Sequence, residues 1–324
     1  MKQISRIANS TNASPATISK VLNHCYGVSG DVRERIYREY DRVSCGKAES
    51  RHVNIYVIIP EIPSFFWNLE LERSRNDWVT VKYNVYSRLG DHEIVMRYLK
   101  EAVACDADVI IIAAKLNGES EKLLSELADK KLIIFLTEYH DLVNCFYVGS
   151  DPGADGMRLA NVCLRRPDIR KVLVLRENYP DQGKTSAIRL ESFCEALQGR
   201  VAYDVVDVKV QVGVAMLPST VARAIAPFLK TNAYDAVVAM NGYVPEVCAA
   251  VQKMKLPRTV RCFGFEKSPQ IHKWAELGYL KAVIWQDFAR QFSAAMAIAE
   301  HYIETRQCPQ KKYTFLPSGL VEYP

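Results

Sequence analysis

The chain has 324 residues, of which 49% are apolar and 24% are charged, and its formal net charge is +5. This length allows two or three domains, and the composition is typical of a globular protein. No apolar run approaches the roughly 20 residues of a membrane span, and the N-terminus has no apolar segment of the kind found in secretion signals. The nine cysteines are scattered without C-x-x-C spacing, which indicates reduced thiols and no metal site. We therefore expect a cytoplasmic protein.

Most of the net charge lies in the first 51 residues. They hold nine Lys and Arg against five Asp and Glu, a net charge of +4, so the rest of the chain is nearly neutral. A small basic module on a neutral body is typical of a nucleic-acid-binding domain attached to another domain. A solvent-exposed charged helix would explain the charges of 33–42 alone.

The segment 5–23, SRIANSTNASPATISKVLN, predicts two short helices joined by a tight turn. Ser14 is a good N-cap, and Pro15 follows at the first helical position, where its missing N–H is no loss. Ile18 and the apolar residues three and four positions later would face the first helix. Asn12 stands where such turns often carry Gly, and Asn tolerates the left-handed backbone conformation.

The residues that point away from the first helix carry short hydroxyls and one cation, which suit contacts with phosphates and base edges. A third helix follows, which Ser29 would cap and to which Val32, Ile36 and Tyr40 give an apolar stripe. Three such helices make a minimal helix-turn-helix domain. The predicted DNA-contacting residues are Ser14, Pro15, Ala16, Thr17, Ser19, Lys20, Asn23 and Ser29.

The sequence ASPATISKVLN, followed by VSGDVRERIYREY, resembles the N-terminal headpiece of the LacI/GalR (lactose-repressor) family of bacterial transcription regulators. The resemblance implies a helix-turn-helix headpiece over 1–45, whose second helix enters the major groove. It also implies a homodimer that places two headpieces on a near-palindromic operator. A generic amphipathic helix pair is the alternative interpretation.

A short linker, 46–52, follows the headpiece and shows no apolar periodicity. Members of the family usually have a longer segment here, with a hinge helix of pattern Asn-x-x-Ala-x-x-Leu whose leucine opens the minor groove. This chain has no Leu in the linker, and the hinge-helix pattern is missing. The departure leaves open whether the protein bends DNA, or couples ligand binding to DNA binding in the usual way.

From Val53 onward, strand-like apolar runs alternate with amphipathic helices to the end of the chain. Near-continuous Val and Ile strands separated by helices indicate parallel sheets covered on both faces. The strands are predicted at 53–60, 80–87, 108–114, 131–136, 145–150, 171–176, 202–208, 235–240, 259–265 and 281–285. The helices are predicted at 93–104, 119–128, 153–164, 186–197, 219–229, 244–254 and 287–305. These are too many strands for one compact sheet, and a break near 165–167 indicates two doubly wound lobes with ligands between them, at the carboxyl ends of the strands.

Further markers of the same family recur in order: PSFF (63–66), VGSDPGADG (148–156), RLESFCEAL (189–197), DAVVAMN (235–241), FGFE (263–266) and IWQDF (284–288). The body thus resembles the periplasmic-binding-protein-like effector domain of LacI/GalR regulators. The resemblance implies that the chain crosses between the lobes three times. We therefore place 53–165 and 286–312 in the first lobe, and 166–285 and 313–324 in the second.

Polar side chains stand just after predicted strands, or on the helix turn that faces the cleft. Carboxylates, amides and one arginine form a donor and acceptor set suited to a polyhydroxylated or heteroaromatic small molecule. The aromatic residues at 65–67 would supply an apolar wall, and the resemblance implies effector contacts at the polar positions. The predicted ligand-binding residues are Phe65, Phe66, Trp67, Asp151, Arg189, Asn241, Glu266 and Gln286.

Some of these assignments have structural alternatives. Asp151 precedes a predicted helix and is suited to be its N-cap. Only one of Phe65 and Phe66 can easily face the cleft, and the other fits the core. Compared with the family, Glu266 replaces a more usual Asp, and Asp155 replaces a usual Ala.

The sequence offers no catalytic motif. The segment 178–185, NYPDQGKT, lies between a strand and a helix as a phosphate loop would, but Asn178 replaces the first Gly, and Pro180 and Asp181 oppose a phosphate cradle. No G-x-S-x-G motif, H-E-x-x-H motif or Cys and His pair offers another catalytic interpretation. We therefore expect no enzymatic activity and no cofactor.

Taken together, the sequence predicts a DNA-binding transcriptional regulator. A small ligand, a sugar or sugar derivative bound between the lobes, would control its operator affinity allosterically. The alternative is a sugar- or nucleobase-binding protein in which the short linker has uncoupled the ligand from DNA. An enzyme on the same scaffold would need a nucleophile and a base that the sequence does not show.

Overall fold

The computed structural model describes residues 2–22, 28, 32, 35, 36, 39, 53–60, 79–86, 92–178, 184–209, 217–231, 234–256 and 260–324. The predicted linker at 46–52 lies outside these residues, as do five of the predicted contact residues: Asn23, Ser29, Phe65, Phe66 and Trp67.

Two short helices form the N-terminus, α1 (Lys2–Thr11) and α2 (Pro15–Leu22). The backbone between them turns at Asn12, whose φ of 56° lies in the left-handed region. The Ser14 hydroxyl caps α2 by accepting a hydrogen bond from the backbone N–H of Thr17 at 3.1 Å. Both features agree with the turn and the cap that the sequence predicts.

A small apolar cluster holds these helices together. Ile7 of α1 packs with Ile18 and Val21 of α2 and with Ile36, and all four side chains are fully buried. The helical spacing of the apolar residues therefore points one face of each helix into a common core. The opposite face of α2 remains exposed at Ala16, Ser19 and Lys20.

The body of the chain alternates strands and helices. The strands are β1 (Ile55–Pro60), β2 (Val81–Tyr86), β3 (Val109–Ile112), β4 (Leu132–Leu136), β5 (Cys145–Gly149), β6 (Lys171–Asn178), β7 (Ala202–Lys209), β8 (Ala236–Ala239), β9 (Arg261–Phe265), β10 (Leu280–Trp285), β11 (Tyr313–Phe315) and β12 (Gly319–Glu322). The helices are α3 (His92–Ala104), α4 (Gly118–Leu127), α5 (Pro152–Leu164), α6 (Lys184–Leu197), α7 (Pro218–Thr231), α8 (Val244–Lys253), α9 (Ile271–Glu276) and α10 (Phe288–Thr305).

These strands form two six-stranded sheets, one in each lobe. The first sheet is parallel and has the order β11–β5–β4–β3–β1–β2. The second has the order β12–β10–β9–β8–β6–β7, and β12 is its antiparallel edge strand. Every residue of β1, β3, β4 and β8 is buried, as expected for parallel strands covered on both faces. The predicted fold of two doubly wound parallel-sheet lobes is confirmed.

Each of the ten predicted strands corresponds to an observed strand, whereas β11, β12 and α9 were not predicted. These three elements have three, four and six residues. Such short elements contain too few residues for an apolar period to be recognised.

The chain crosses between the lobes at 150–151, 286–287 and 316–318. The first crossing lies before α5 and not near 165–167, because the apolar face of α5 packs into the core of the second lobe. The third crossing follows β11, because β11 pairs with β5 in the first sheet. The predicted boundaries at 165 and 313 are therefore corrected. Among the described residues, none of the helices combines the length and the apolar character of a membrane span.

Candidate functional site

The three crossings meet at a group of polar side chains, which we call the hinge cluster. Its members stand at or near the carboxyl ends of β5, β9 and β10, near the starts of α5, α6 and α10, and before β12. All but the last are buried, and the set is Ser150, Asp155, Arg189, Glu266, Gln286, Gln291 and Ser318. The hinge cluster therefore lies where the chain connects the two lobes.

Hydrogen bonds link the three crossings through this cluster. The Ser150 hydroxyl is placed to donate to Asp155 Oδ2 at 2.6 Å or to Gln286 Oε1 at 3.1 Å. Gln286 in turn donates from Nε2 to Glu266 Oε1 at 2.9 Å and from its backbone N–H to Glu266 Oε2 at 3.1 Å. The Ser318 hydroxyl donates to Asp155 Oδ1. A rotation of one lobe against the other must therefore rearrange this network.

Glu266 has an unusual backbone conformation at the end of β9. Its φ of 68° lies in the left-handed region, which costs a residue other than Gly about 1–3 kcal/mol. Its backbone N–H donates to the Ile284 carbonyl at 2.7 Å, and both of its carboxylate oxygens accept from Gln286. Burial raises the pKa of Glu266, while Arg189 and Gln286 act in the opposite direction. The surrounding contacts thus hold a carboxylate in a fixed position between the lobes.

Arg189 supplies the positive charge of the hinge cluster. Its Nη2 lies 3.6 Å from Asp155 Oδ2 and 4.0 Å from Glu266 Oε1, and its Cζ lies 4.2 Å from the centroid of the Phe265 ring. Neither Nε nor Nη2 has a hydrogen-bond partner among the described residues, although both atoms are buried. Buried donors normally have acceptors. The hydrogen-bonding capacity of these two nitrogens is therefore unused within the described residues.

Asp151 has the structural role that its position before a helix allows. Its Oδ1 accepts hydrogen bonds from the backbone N–H groups of Gly153 at 2.9 Å and Ala154 at 3.0 Å, and it caps α5. Its side chain is half-buried. A ligand contact at Asp151 stays a prediction.

A second group of polar side chains, which we call the cleft cluster, consists of Lys115, Glu138, Glu177 and Asn241. Lys115 and Glu138 follow β3 and β4 of the first lobe, whereas Glu177 and Asn241 lie at the ends of β6 and β8 of the second. Lys115 Nζ lies 3.8 Å from Glu177 Oε2, and the two side chains are only 13% and 10% exposed. This ion pair therefore spans the cleft between the lobes.

The cleft cluster is rich in acid. Burial raises the pKa of Glu177 to about 7, and the nearby charge of Glu138 adds to this, while Lys115 and a hydrogen bond with Asn241 act against it. Glu138 Oε1 is buried without a hydrogen-bond partner among the described residues. A further contact between the lobes is the hydrogen bond from the backbone N–H of Tyr139 to Thr185 Oγ1 at 2.7 Å.

The structure sorts the predicted ligand residues into these groups. Arg189, Glu266 and Gln286 meet in the hinge cluster, and Asn241 joins Glu177 in the cleft cluster. Lys115, Glu138 and Glu177 were not predicted from the sequence, although each stands at or just after the end of a predicted strand. Among the segments that the structure describes, no group of three or more His, Cys, Asp or Glu is arranged to hold a metal ion.

Replacing Glu177 by glutamine is expected to reduce the pH dependence of stability. Because the pKa of Glu177 is about 7 in the folded protein against an ordinary value of 4.5, the folded state holds this proton more tightly than the unfolded chain. The free energy of unfolding should therefore fall as the pH rises from about 4.5 to about 7, by at most about 3 kcal/mol. Glu177→Gln should remove this fall.

Denaturant unfolding at about pH 5 and about pH 8 measures the effect as a difference between the two conditions. Glu177→Gln also destabilises the protein by leaving Lys115 without its carboxylate partner. This loss is present at both pH values, so most of it cancels when the two unfolding free energies are subtracted. Glu195→Gln, at an exposed position of α6, is the control and should behave as the unsubstituted protein does. If the free energy of unfolding changes by the same amount between the two pH values in all three proteins, the pKa of Glu177 is not raised.

Comparison with known proteins identifies the fold. The family described as the periplasmic binding protein domain matches residues 56–307. No curated protein sequence matches the chain. Solved structures share the architecture at low sequence identity, which shows the fold alone, and three of them are described below.

The first is GanP, a glucose-galactose binding protein from Geobacillus stearothermophilus, which is 15% identical with a TM-score of 0.70 over 84% of this chain and 98% of that one. A solute-binding protein from Bacillus halodurans with bound myo-inositol is 16% identical, with a TM-score of 0.69 over 85% and 96%. A carbohydrate transporter solute-binding protein from Agrobacterium radiobacter in complex with D-arabinose is 18% identical, with a TM-score of 0.68 over 83% and 94%. Since the family match covers most of the sequence and the two-lobed fold agrees with it, this chain belongs to the periplasmic binding protein domain family.

Proposed function

We propose that the chain binds a small polyhydroxylated molecule, a sugar or a sugar derivative, between its two lobes. The observation that carries this proposal is the buried guanidinium of Arg189, with two nitrogens that lack hydrogen-bond partners among the described residues. Sugar hydroxyls accept hydrogen bonds from a guanidinium and donate them to carboxylates such as those beside it. The solved proteins with this fold that bind glucose, galactose, arabinose or myo-inositol support the same ligand class.

A thermal-shift screen of the full chain tests this proposal. Monosaccharides, disaccharides and nucleobases are added separately, and at least one sugar is expected to raise the melting temperature in a saturable manner. A ligand at 100 times its Kd stabilises the folded state by about 2.7 kcal/mol. If only nucleobases raise the melting temperature, or if no compound does, sugar binding is wrong.

We further propose that the N-terminal helices form a helix-turn-helix headpiece that binds DNA and makes the chain a cytoplasmic transcriptional regulator. The support is local geometry: a left-handed turn at Asn12, a capped α2, and an exposed α2 face that carries Ser19 and Lys20. Lys20 and Arg35 both line a groove of about 330 Å³ beside this face. Two cations beside an exposed helix face suit contacts with DNA phosphates.

Lys20→Ala is expected to weaken DNA binding and to lower its salt dependence. Each cation that neutralises a phosphate adds about 0.9 to the slope of log affinity against log salt concentration. Mobility-shift titrations with DNA from upstream of the gene, at several salt concentrations, measure both quantities. Lys230→Ala, at an exposed position of α7, is the control. An unchanged affinity and slope for Lys20→Ala would contradict this docking.

Regulation requires that ligand binding between the lobes changes the DNA affinity of the headpiece. In a homodimer, closure of the lobes would change the spacing of the two headpieces, and couplings of this kind are typically about 1–3 kcal/mol. A binding protein without this coupling needs only the cleft, and the short linker favours that alternative. Mobility shifts with and without the sugar that raises the melting temperature separate the two, because only a coupled regulator changes its DNA affinity.

A further inference from the structure

The acidic and basic groups that are buried or half-buried between the lobes do not balance in number. Within the described hinge and cleft clusters, the acidic groups outnumber the basic groups by four to two. The acids are Glu138, Asp155, Glu177 and Glu266, and the cations are Lys115 and Arg189. A buried charge without a counterion is costly. An acidic excess inside a binding cleft therefore favours a ligand that brings the missing positive charge.

The excess is not spread evenly over the two clusters. In the hinge cluster, Asp155 accepts from two serine hydroxyls, Glu266 accepts twice from Gln286, and both carboxylates flank Arg189. Most of their carboxylate oxygens therefore already accept hydrogen bonds. In the cleft cluster, at least one carboxylate oxygen does not.

The cleft cluster contains two acidic residues, Glu138 and Glu177, and Lys115 is the cation of this cluster. It lies 3.8 Å from Glu177, which is longer than a direct hydrogen bond. Glu138 Oε1 is buried and has no hydrogen-bond partner among the described residues. Glu138 is close enough to Glu177 for their charges to interact. A hydrogen-bond donor to Glu138 is therefore missing at this position between the two lobes.

We propose that the ligand carries an ammonium group that binds between Glu138 of the first lobe and Glu177 of the second, as an amino sugar would. This inference rests on the proposed sugar binding and names the class of sugar. An ammonium group has three N–H donors and a full positive charge, so it satisfies both carboxylates at once. A hydroxyl has one donor and leaves the excess charge in place. Phosphorylated or acidic sugars add negative charge and are disfavoured.

Calorimetric titration of the full chain with matched sugars tests the proposal. The probes are glucose and galactose, their 2-amino and 2-acetamido derivatives, and glucose 6-phosphate. The amino sugar is expected to bind about tenfold or more tightly than its parent and its acetylated form, because hydrogen bonds to charged groups are the stronger ones. Parent sugars that bind as tightly as amino sugars overturn the inference and leave sugar binding intact. If no sugar binds, sugar binding fails as well.

Glu138→Gln keeps the shape of the side chain and removes its charge. It is expected to weaken amino-sugar binding about tenfold and to leave the affinity for the parent sugar nearly unchanged. Equal losses for both sugars indicate a structural role for Glu138 and overturn the proposal. Glu177→Gln should show the same selective loss and serves if Glu138→Gln does not fold. Glu126→Gln, at an exposed position of α4, is the control.

Discussion

Replacing Arg189 by alanine is expected to abolish the rise in melting temperature that a bound sugar produces. Arg189 is 4% exposed, and its guanidinium lies between Asp155 and Glu266, with two nitrogens that have no hydrogen-bond acceptor among the described residues. Without it, the ligand loses these donors and faces two buried carboxylates that lack a counterion. Removing one partner of a buried charge pair typically costs about 3–5 kcal/mol, so the variant should also be less stable without ligand.

Two further proteins separate the binding effect from the folding effect. Arg189→Lys keeps the charge between the carboxylates but loses the planar fork of donors, so it should recover stability and still bind the sugar weakly. Arg200→Ala, exposed just beyond α6, should respond to the sugar normally. If Arg189→Ala folds and the sugar raises its melting temperature as in the unsubstituted protein, Arg189 is not part of the binding site. DNA binding should persist in every variant that folds.

Gly156→Ala is expected to destabilise the second lobe and to weaken ligand binding together. A Cβ at this position would lie 2.2 Å from the carbonyl oxygen of Arg189 and 3.0 Å from its Cα. These are backbone atoms of α6, so the contact is relieved only if α5 and α6 move apart. Overpacking of this kind costs about 1–3 kcal/mol, and occasionally more. The movement also displaces Arg189 from the hinge cluster.

Thermal unfolding with and without the sugar measures both consequences of Gly156→Ala. Gly118→Ala is the matched control, because Gly118 begins α4 and no atom lies within 4 Å of its Cβ position. Its melting temperature should be unchanged or slightly higher, since Ala favours a helix over Gly by up to about 1 kcal/mol. If Gly156→Ala melts as the unsubstituted protein does, the close approach of α5 and α6 is not required for stability.

The candidate site was predicted only in part from the sequence. The rule that ligands bind at the carboxyl ends of parallel strands selected Asn241, Glu266 and Gln286. It did not select Glu138 or Glu177, because nothing local distinguishes a strand-end carboxylate that faces a cleft from one that faces solvent. Only the folded structure shows that Glu177 pairs with Lys115 of the other lobe and that Glu138 lies near Glu177.

The sequence by itself determined where ten of the strands and every described helix except α9 lie, and that these ten strands run parallel within their sheets. These properties depend on near neighbours: apolar residues repeat at helical spacing or fill buried strands without interruption. The same local patterns located the turn at Asn12 and the cap at Ser14.

Only the tertiary structure decided where the chain passes from one lobe to the other. The helix α5 follows a strand of the first sheet, yet its apolar face packs on the second, and the three-residue strand β11 belongs to the first sheet through pairing with β5. The ion pair between Lys115 and Glu177 likewise joins residues far apart in the chain. A helical or strand period fixes which face of an element is apolar, but the surface that covers this face comes from distant segments and is settled only when they pack together.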